Sequence, residues 1–302
     1  MTAAIHGATS DSRPGALITG AGGQLGIELQ AAAPAGWRVI ACGSAELDVT
    51  RTEAVDAALE RERPAVVFHT AAYTAVDAAE EDPAAAEAVN AGGAAHVARA
   101  ARRVAARLIH VSTDFVFDGA QGRPYATGDR PNPLGAYGRS KLGGEREVLR
   151  ITEGRALVVR TAWVYSSRGR NFVLTMLRLM QERDELGVVS DQIGTPTWAR
   201  PLAAALWTAA GRAEVRGIHH WTDAGVASWY DFAMAIQDEA LTLGLLSRAI
   251  PIRPLRSEEY PARARRPSYS VLDTSATRSA LGLTAAHWRV NLRTMLRGLA
   301  NA

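Results

Sequence analysis

Tyr137 and Lys141 form the residue pair in this sequence with the clearest capacity for proton chemistry. They lie four positions apart in the stretch AYGRSKLGGE, and on a helix this spacing brings both side chains to one face. Lys141 is the only lysine among 34 lysine and arginine residues. Because an ammonium is a compact charge and a guanidinium a rigid fork, a lone lysine indicates a site that needs a point charge. The alternative is a half-exposed helix face without chemistry, and the rest of the chain must decide between them.

A second polar group follows the apolar run RLIHVS, which is typical of a buried strand. Thr113 and Asp114 would emerge at the carboxyl edge of a parallel sheet, where ligands bind in such folds. A hydroxyl there can donate to a carbonyl oxygen that is about to gain charge. Taken alone, these residues are equally typical of a turn or a helix N-cap. Their occurrence shortly before Tyr137 and Lys141 favours a catalytic set.

The motif Gly20-x-x-Gly23-x-x-Gly26 lies between the first predicted strand and the first predicted helix. Glycines at these places permit a tight turn and a close approach of the backbone to a pyrophosphate, which then lies at a helix N-terminus. A plain strand-to-helix turn is the competing interpretation. The position of the motif, after a strand and before an amphipathic helix, favours dinucleotide binding.

The end of the second predicted strand bears on the choice of cofactor. An acidic residue there would hold the ribose 2′-hydroxyl of NAD and repel the 2′-phosphate of NADP. Cys42, Gly43 and Ser44 provide no carboxylate, and Ser44 can donate to a phosphate. The sequence therefore predicts NADPH as cofactor, with NADH possible, and it places Asp48 near the adenine.

Short apolar runs alternate with Ala-rich amphipathic stretches through the first half of the chain. Strands are predicted at 16–20, 37–42, 65–71, 107–113 and 156–165, and helices at 24–33, 51–62, 83–106 and 135–150. This alternation predicts βαβ units in a parallel sheet that is buried on both faces. The later pattern is looser, with helices predicted near 170–183, 198–211 and 228–241 and proline-rich turns at 251–267.

The predicted fold class is α/β, a Rossmann-type doubly wound parallel sheet with a smaller mixed α/β substrate-binding domain. Three regions follow from this interpretation. Residues 1–14 are expected to form a disordered N-terminal extension, and residues 15–165 the dinucleotide-binding Rossmann domain. Residues 166–302 are expected to form mainly the substrate-binding domain, with segments that return to the Rossmann sheet.

The composition of the 302 residues is that of a soluble globular protein, with 47% hydrophobic and 22% charged residues. No stretch of about 18 apolar residues predicts a membrane span, and the first residues lack the features of a signal peptide. The single cysteine, Cys42, excludes an internal disulfide and fits a cytoplasmic protein. The net charge is +3, without a basic stripe interleaved with aromatics, so neither nucleic acid nor membrane is a predicted partner. A homodimer is possible.

The glycine motif, the stretch STDFVFDG and the Tyr-x-x-x-Lys pair together resemble the extended short-chain dehydrogenase/reductase superfamily. Later stretches narrow the resemblance to the dTDP-4-dehydrorhamnose reductase family. They are TAAYTAVDAAEEDP, RTAWVYS, NFVLTMLRLM, SDQIGTPTWA, SWYDFA and RRPSYSVLD. The resemblance extends from about residue 15 to the C-terminus. Its first three motifs are common to the superfamily, whereas the later ones are typical of the family.

The resemblance implies reduction by NADPH of the C4 ketone of a dTDP-4-keto-6-deoxy sugar, with dTDP-4-dehydro-L-rhamnose as the first candidate. Tyr137 would then donate the proton that the reduced oxygen needs. Lys141 would lower the pKa of the phenol and hold the nicotinamide ribose. Thr113 would hydrogen-bond the reacting oxygen, and Asp114 would contact the sugar or position water.

The same resemblance implies a wider set of binding residues. The cofactor would be held by Gly20, Gly23, Gln24, Leu25, Ser44, Asp48, Val49, Ala71, Ala72, Tyr73, Tyr137 and Lys141. The substrate would be held by Thr113, Asp114, Trp163, Asn171, Gln192 and Arg266. The fork of Arg266 suits a diphosphate, and the alternative is that Arg266 is a solvated charge in a loop. For Trp163 the alternative to substrate binding is ordinary packing in the core. No acidic cluster indicates a metal site, so no metal is predicted.

Three other functions are compatible with parts of the pattern. A 4-ketoreductase for another dTDP-deoxysugar would carry the same motifs. A nucleotide-sugar epimerase or dehydratase would retain NAD and show no net consumption of NADPH. A non-catalytic regulatory subunit on the same fold could lose the Tyr or the Lys, and the presence of both argues against it.

Overall fold

A computed structural model describes residues 12–301, so most of the predicted N-terminal extension, residues 1–11, lies outside the described part. The strands, in chain order, are β1 (Gly15–Thr19), β2 (Arg38–Cys42), β3 (Val66–His69), β4 (Arg107–Thr113), β5 (Leu157–Thr161), β6 (Val164–Tyr165), β7 (Leu186–Val189), β8 (Ile193–Gly194), β9 (Thr197–Trp198), β10 (Gly217–His220), β11 (Ala227–Ser228) and β12 (Ile252–Leu255).

The α-helices, again in chain order, are α1 (Gln24–Ala31), α2 (Thr52–Glu62), α3 (Ala78–Glu81), α4 (Pro83–Glu87), α5 (Ala94–Arg103), α6 (Ala136–Ile151), α7 (Phe172–Glu182), α8 (Ala199–Ala210), α9 (Trp229–Thr242), α10 (Ser275–Leu281) and α11 (Trp288–Ala300). A π-helical segment, Ala88–Gly93, joins α4 to α5, and 3-10 turns cover Asp114–Val116 and Ser257–Glu259. None of these helices is long and apolar enough to cross a membrane, within the described residues.

The central sheet has six parallel strands in the order β10-β5-β4-β3-β1-β2. From β1 the chain continues to β2 on one side and then to β3 on the other. The order therefore reverses between β1 and β3, and in sheets of this kind ligands bind at the carboxyl ends beside such a reversal. The predicted Rossmann-type parallel sheet is confirmed, and β10 of the later half forms its edge.

Alternate residues of each strand point to opposite faces of the sheet, and both faces are covered by helices. Ile18 of β1 and Phe68 of β3 pack toward α1 and α8. Leu17 and Val67, their neighbours in the chain, pack toward α2, α5 and the end of α6. This double burial explains why the strands are nearly continuous apolar runs, because neither face meets water.

A separate core forms in the later half of the chain from α7, α9 and α11 with the parallel pair β7 and β12. Phe232 lies at its centre. Part of this region was predicted to consist of proline-rich turns, and that is wrong for 252–255, which form β12. Pro254 is tolerated there because β12 belongs to a two-stranded sheet and has a free edge. The division of the chain near residue 165 stays a prediction.

Candidate active site

A cavity of about 1170 Å³ opens where β1, β2, β3, β4 and β5 end. Most of the residues predicted to bind cofactor or substrate line it. They are Gly20, Gly23, Gln24, Leu25, Ser44, Asp48, Val49, Ala71, Ala72, Tyr73, Thr113, Asp114, Tyr137, Lys141, Trp163 and Arg266. These residues come from seven parts of the chain, and the parallel sheet brings most of them to one edge.

The glycine loop lies at the floor of this cavity. Gly20 has φ +67°, and a Cβ on it would come within 2.7 Å of the Ala71 Cα, so only glycine fits. The amide of Ala21 donates to the Cys42 carbonyl at 3.1 Å, which fixes the loop against the end of β2. Gly23, the N-cap of α1, provides no side chain to the first amides of that helix. These amides suit an anion such as the pyrophosphate of a dinucleotide.

Helix α6 brings Tyr137 to the end of β4. Gly138 makes this possible, because a Cβ there would collide with the Phe115 carbonyl oxygen. Tyr137 is half-buried, lines the cavity and interacts with the Thr113 hydroxyl. Thr113 Oγ1 donates to Asp114 Oδ1 at 3.1 Å and accepts from the Phe115 amide at 3.2 Å. Thr113 therefore caps a 3-10 turn and also lines the cavity, and its contact with a reacting oxygen stays a prediction.

Lys141 is buried, only 3% exposed, and its Nζ donates to the Val111 carbonyl at 2.7 Å. Burial lowers the pKa of Lys141 to about 8, and the nearby Glu145 carboxylate opposes this shift. Desolvation raises the pKa of Tyr137 to about 12, against a hydrogen bond with Thr113. The predicted lowering of the Tyr137 pKa by Lys141 is therefore wrong for the chain by itself. The ammonium is bound to the backbone of β4, and loss of water at Tyr137 outweighs the hydrogen bond with Thr113.

Asp114 is buried beside Thr113. Burial raises the pKa of Asp114 to about 6, while hydrogen bonds with Ser270 and Thr113 act in the opposite direction. At the cavity wall its Oδ1 accepts from the Thr113 hydroxyl. Its contact with a sugar or a water stays a prediction.

A buried ion pair behind the cavity was not predicted from the sequence. Arg160 on β5 donates to both carboxylate oxygens of Glu145, at 2.9 and 2.7 Å, and both side chains are almost fully buried. Ser112 donates to the same carboxylate at 2.5 Å. Glu145 follows Lys141 by one helical turn, and this spacing is the signal that could have revealed it. The pair joins α6 to β4 and β5 directly behind Lys141.

The wall beyond the sheet edge contains a pair of stacked indoles. The rings of Trp163 and Trp229 are 3.6 Å apart and nearly parallel, at 8°, and both line the cavity. Trp163 has φ +46°, a backbone conformation that neighbouring contacts must hold in place. Trp163 thus lines the cavity and also packs against the core of the later half, and Trp229 is a cavity residue that the sequence did not reveal.

Two predicted substrate residues lie outside the cavity wall. Asn171 caps α7 by accepting from the Leu174 amide at 3.1 Å, and it donates to the Gln24 carboxamide at 3.0 Å. Gln192 donates to the Ser257 hydroxyl at 2.9 Å. Neither residue lines the cavity, and the substrate contacts predicted for both stay predictions. Between residues 12 and 301 no cluster of three or more His, Cys, Asp or Glu could hold a metal ion.

The fold and the site together define an oxidoreductase of the short-chain dehydrogenase/reductase class. A family profile described as "RmlD substrate binding domain" matches residues 15–301. A dTDP-4-dehydrorhamnose reductase from Burkholderia thailandensis is 42% identical over 293 residues, which cover 94% of this chain and 98% of the relative. The chain therefore belongs to the dTDP-4-dehydrorhamnose reductase family.

Other known proteins agree with this assignment. A dTDP-4-dehydrorhamnose reductase from Streptomyces griseus is 44% identical over 286 residues, covering 93% of this chain and 92% of the relative. The crystal structure of a dTDP-4-dehydrorhamnose reductase from Bacillus anthracis in complex with NADP superposes with a TM-score of 0.89 at 35% identity, covering 94% of this chain and 98% of that one. A UDP-glucose 4-epimerase from Thermus thermophilus, at 19% identity and a TM-score of 0.79, shares the fold alone.

Proposed function

We propose that the protein uses NADPH to reduce the C4 ketone of a dTDP-4-keto-6-deoxy sugar, converting dTDP-4-dehydro-L-rhamnose to dTDP-L-rhamnose. The observation that carries the proposal is the meeting of Tyr137, Lys141 and Thr113 in one cavity with the glycine loop. The names of the relatives support the sugar, and the NADP complex of the Bacillus anthracis protein supports the cofactor.

The residues present fit a dinucleotide. The narrow turn at Gly20 and the first amides of α1 would hold its pyrophosphate, as in other Rossmann folds. Ser44 lines the cavity and carries no charge that would repel a 2′-phosphate. Tyr73 and Lys141 would lie along the nicotinamide end. When bound, NADPH supplies the hydride that reduces the ketone.

The chain itself supplies the proton and the polar surroundings. Because the pKa of Tyr137 is raised to about 12, the phenol stays protonated at neutral pH and is ready to donate. An alkoxide is a stronger base than a phenolate, so the transfer to the reduced oxygen is favourable. Thr113 can hydrogen-bond that oxygen as its charge develops. Lys141, whose ammonium is fixed on the Val111 carbonyl, would hold the nicotinamide ribose.

The test is loss of NADPH absorbance with dTDP-4-dehydro-L-rhamnose, followed by identification of the product sugar. Tyr137→Phe keeps the ring and removes the proton donor, so turnover should fall about 100-fold or more. Protein that purifies with NAD⁺ and interconverts sugars without consuming NADPH would overturn the proposal in favour of an epimerase or dehydratase. Reduction of a different dTDP-ketosugar, with none of the rhamnose precursor, would overturn the assigned substrate.

A further inference from the structure

Asp77 lies in the loop between β3 and α3, at the point where a distant part of the chain crosses it. Residues 263–266 of the later half wrap around its carboxylate, and this short segment is called the strap. Oδ1 of Asp77 accepts from the amides of Arg263 and Ala264 at 3.1 and 3.0 Å. Oδ2 accepts from Nη2 of Arg266 at 2.6 Å. One carboxylate therefore fixes both the backbone of the strap and its arginine.

Arg266 is the cationic side chain of the strap that lines the cavity. Its side chain is 20% exposed, and its Nη1 donates to the Ala264 carbonyl at 3.3 Å. The guanidinium retains further N–H donors, which can bind two oxygens of a diphosphate. A long arginine side chain has considerable rotamer freedom, and an ion pair that fixes one edge of the fork reduces the entropy lost on binding.

The acidic residues of helix α3, which follows Asp77, have separate partners. Glu80 accepts from the Ala136 amide at 2.6 Å, at the start of α6. Glu81 forms an ion pair with Arg263. Among residues 12–301, Asp77 is the carboxylate that contacts Arg266. Burial would raise the pKa of Asp77, but the hydrogen bonds from Arg266, Ala264 and Arg263 outweigh it and lower the pKa, so the carboxylate is charged at neutral pH.

We infer that Asp77 is a positioning residue which holds Arg266 at the cavity wall, in the orientation that binds the diphosphate of the nucleotide substrate. The inference rests on the proposed function for the identity of that substrate. The binding of a nucleoside diphosphate by Arg266 does not itself require turnover. The role of Asp77 and the proposed reductase function can therefore be tested by separate measurements.

Asp77→Asn is the informative substitution, because the remaining carbonyl oxygen can still accept from the strap amides whereas the amide nitrogen cannot accept from Arg266. We expect Kd for dTDP, measured by calorimetry on the full-length protein, to rise about tenfold, as for loss of one charge-assisted hydrogen bond. KM for the sugar nucleotide should rise equally, while kcat and KM for NADPH stay unchanged. Glu81→Gln is the matched control, since it releases Arg263 from the same strap and should leave Kd for dTDP unchanged.

Arg266→Ala should weaken dTDP binding more than Asp77→Asn does, and the double variant should be no weaker than Arg266→Ala, because Asp77 acts only through the arginine. Arg266→Lys keeps the charge but not the fork and should also weaken binding. Additive losses in the double variant, or unchanged dTDP affinity in Asp77→Asn, would overturn the inference. Tight dTDP binding without reduction of any dTDP-ketosugar would instead contradict the proposed function and leave the role of Asp77 intact.

Discussion

Replacing Lys141 by methionine is expected to abolish turnover and yet to raise the free energy of unfolding at pH 7. The ammonium is buried, and its pKa is lowered from 10.5 to about 8. A lysine whose pKa is lower in the folded than in the unfolded state destabilises the folded protein. That destabilisation is complete below pH 8 and disappears as the pH rises toward 10.5, because the unfolded chain then also loses the proton.

The magnitude follows from the two pKa values. At 1.36 kcal/mol for each pH unit, the charged ammonium lowers the free energy of unfolding by about 3 kcal/mol at pH 7 and by about 2 kcal/mol at pH 9. Methionine also loses the charge-assisted hydrogen bond to the Val111 carbonyl, worth about 2 kcal/mol. The net gain at pH 7 is therefore about 1 kcal/mol. For a chain of this length that corresponds to a rise in Tm of about 2 °C.

The charged and titratable groups near Lys141 do not obscure this difference between pH 7 and pH 9. Burial lowers the pKa of His69 to about 3 and that of His110 well below its usual value, so both imidazoles stay neutral. The pKa of Tyr137, about 12, keeps that phenol protonated. The Glu145 carboxylate is bound to Arg160 and Ser112. Of His69, His110, Tyr137 and Lys141, it is Lys141 that titrates between pH 7 and pH 9.

The assay is urea unfolding of both proteins at pH 7 and pH 9. The advantage of Lys141→Met should shrink by about 1 kcal/mol between the two pH values. Arg146→Met is the control, because Arg146 is exposed on the same helix and its loss should give no such pH dependence. A variant that is less stable than wild type at pH 7, or a gain that is equal at both pH values, would refute the claim that burial of the ammonium is costly.

The remaining predictions concern catalysis. Thr113→Val should lower kcat about 10- to 1000-fold with unchanged NADPH affinity, and a kcat near that of wild type would leave the residue with its capping role alone. Trp229→Ala should raise KM for the sugar about tenfold through loss of the stack on Trp163, with Trp229→Phe recovering most of it; an equal effect on KM for NADPH would contradict this. In wild type, kcat/KM should fall above about pH 8 as Lys141 deprotonates. Lys141→Arg should remove this decrease at high pH and should lower kcat at least about tenfold. Steady-state kinetics should show NADPH preferred or equal to NADH, and strong preference for NADH would contradict the interpretation of Ser44.

The parts of the site that the sequence predicted are those with a local signal. The glycine loop and the Tyr137–Lys141 spacing each lie within one turn or one helix, and backbone geometry alone relates their members. Thr113 was predictable because parallel strands must end at one edge of the sheet. The strand β12 was missed because proline and arginine dominate it, and only its pairing with β7 makes it a strand.

The parts that were missed depend on contacts between distant segments. The Asp77–Arg266 pair joins residues 189 positions apart, and nothing near either residue indicates the other. Arg160 stands in an apolar strand, where its full burial follows from Glu145 on a helix that only the folded structure places beside it. Asn171 and Gln192 were predicted to bind substrate, but both lie outside the cavity wall. Asn171 accepts from the Leu174 amide, and Gln192 donates to the Ser257 hydroxyl.

The electrostatics of Tyr137 and Lys141 favour one direction of proton transfer. With pKa values of about 12 and about 8, the phenol is fully protonated at pH 7 and the ammonium largely charged. Such a pair can donate a proton to a newly formed alkoxide without any prior ionisation. Oxidation of an alcohol would instead need the phenolate as base, and at neutral pH a phenol with this pKa is rarely ionised. The protonation state of Tyr137 at pH 7 therefore suits proton donation to an alkoxide, and the phenolate left after donation takes a proton from solvent.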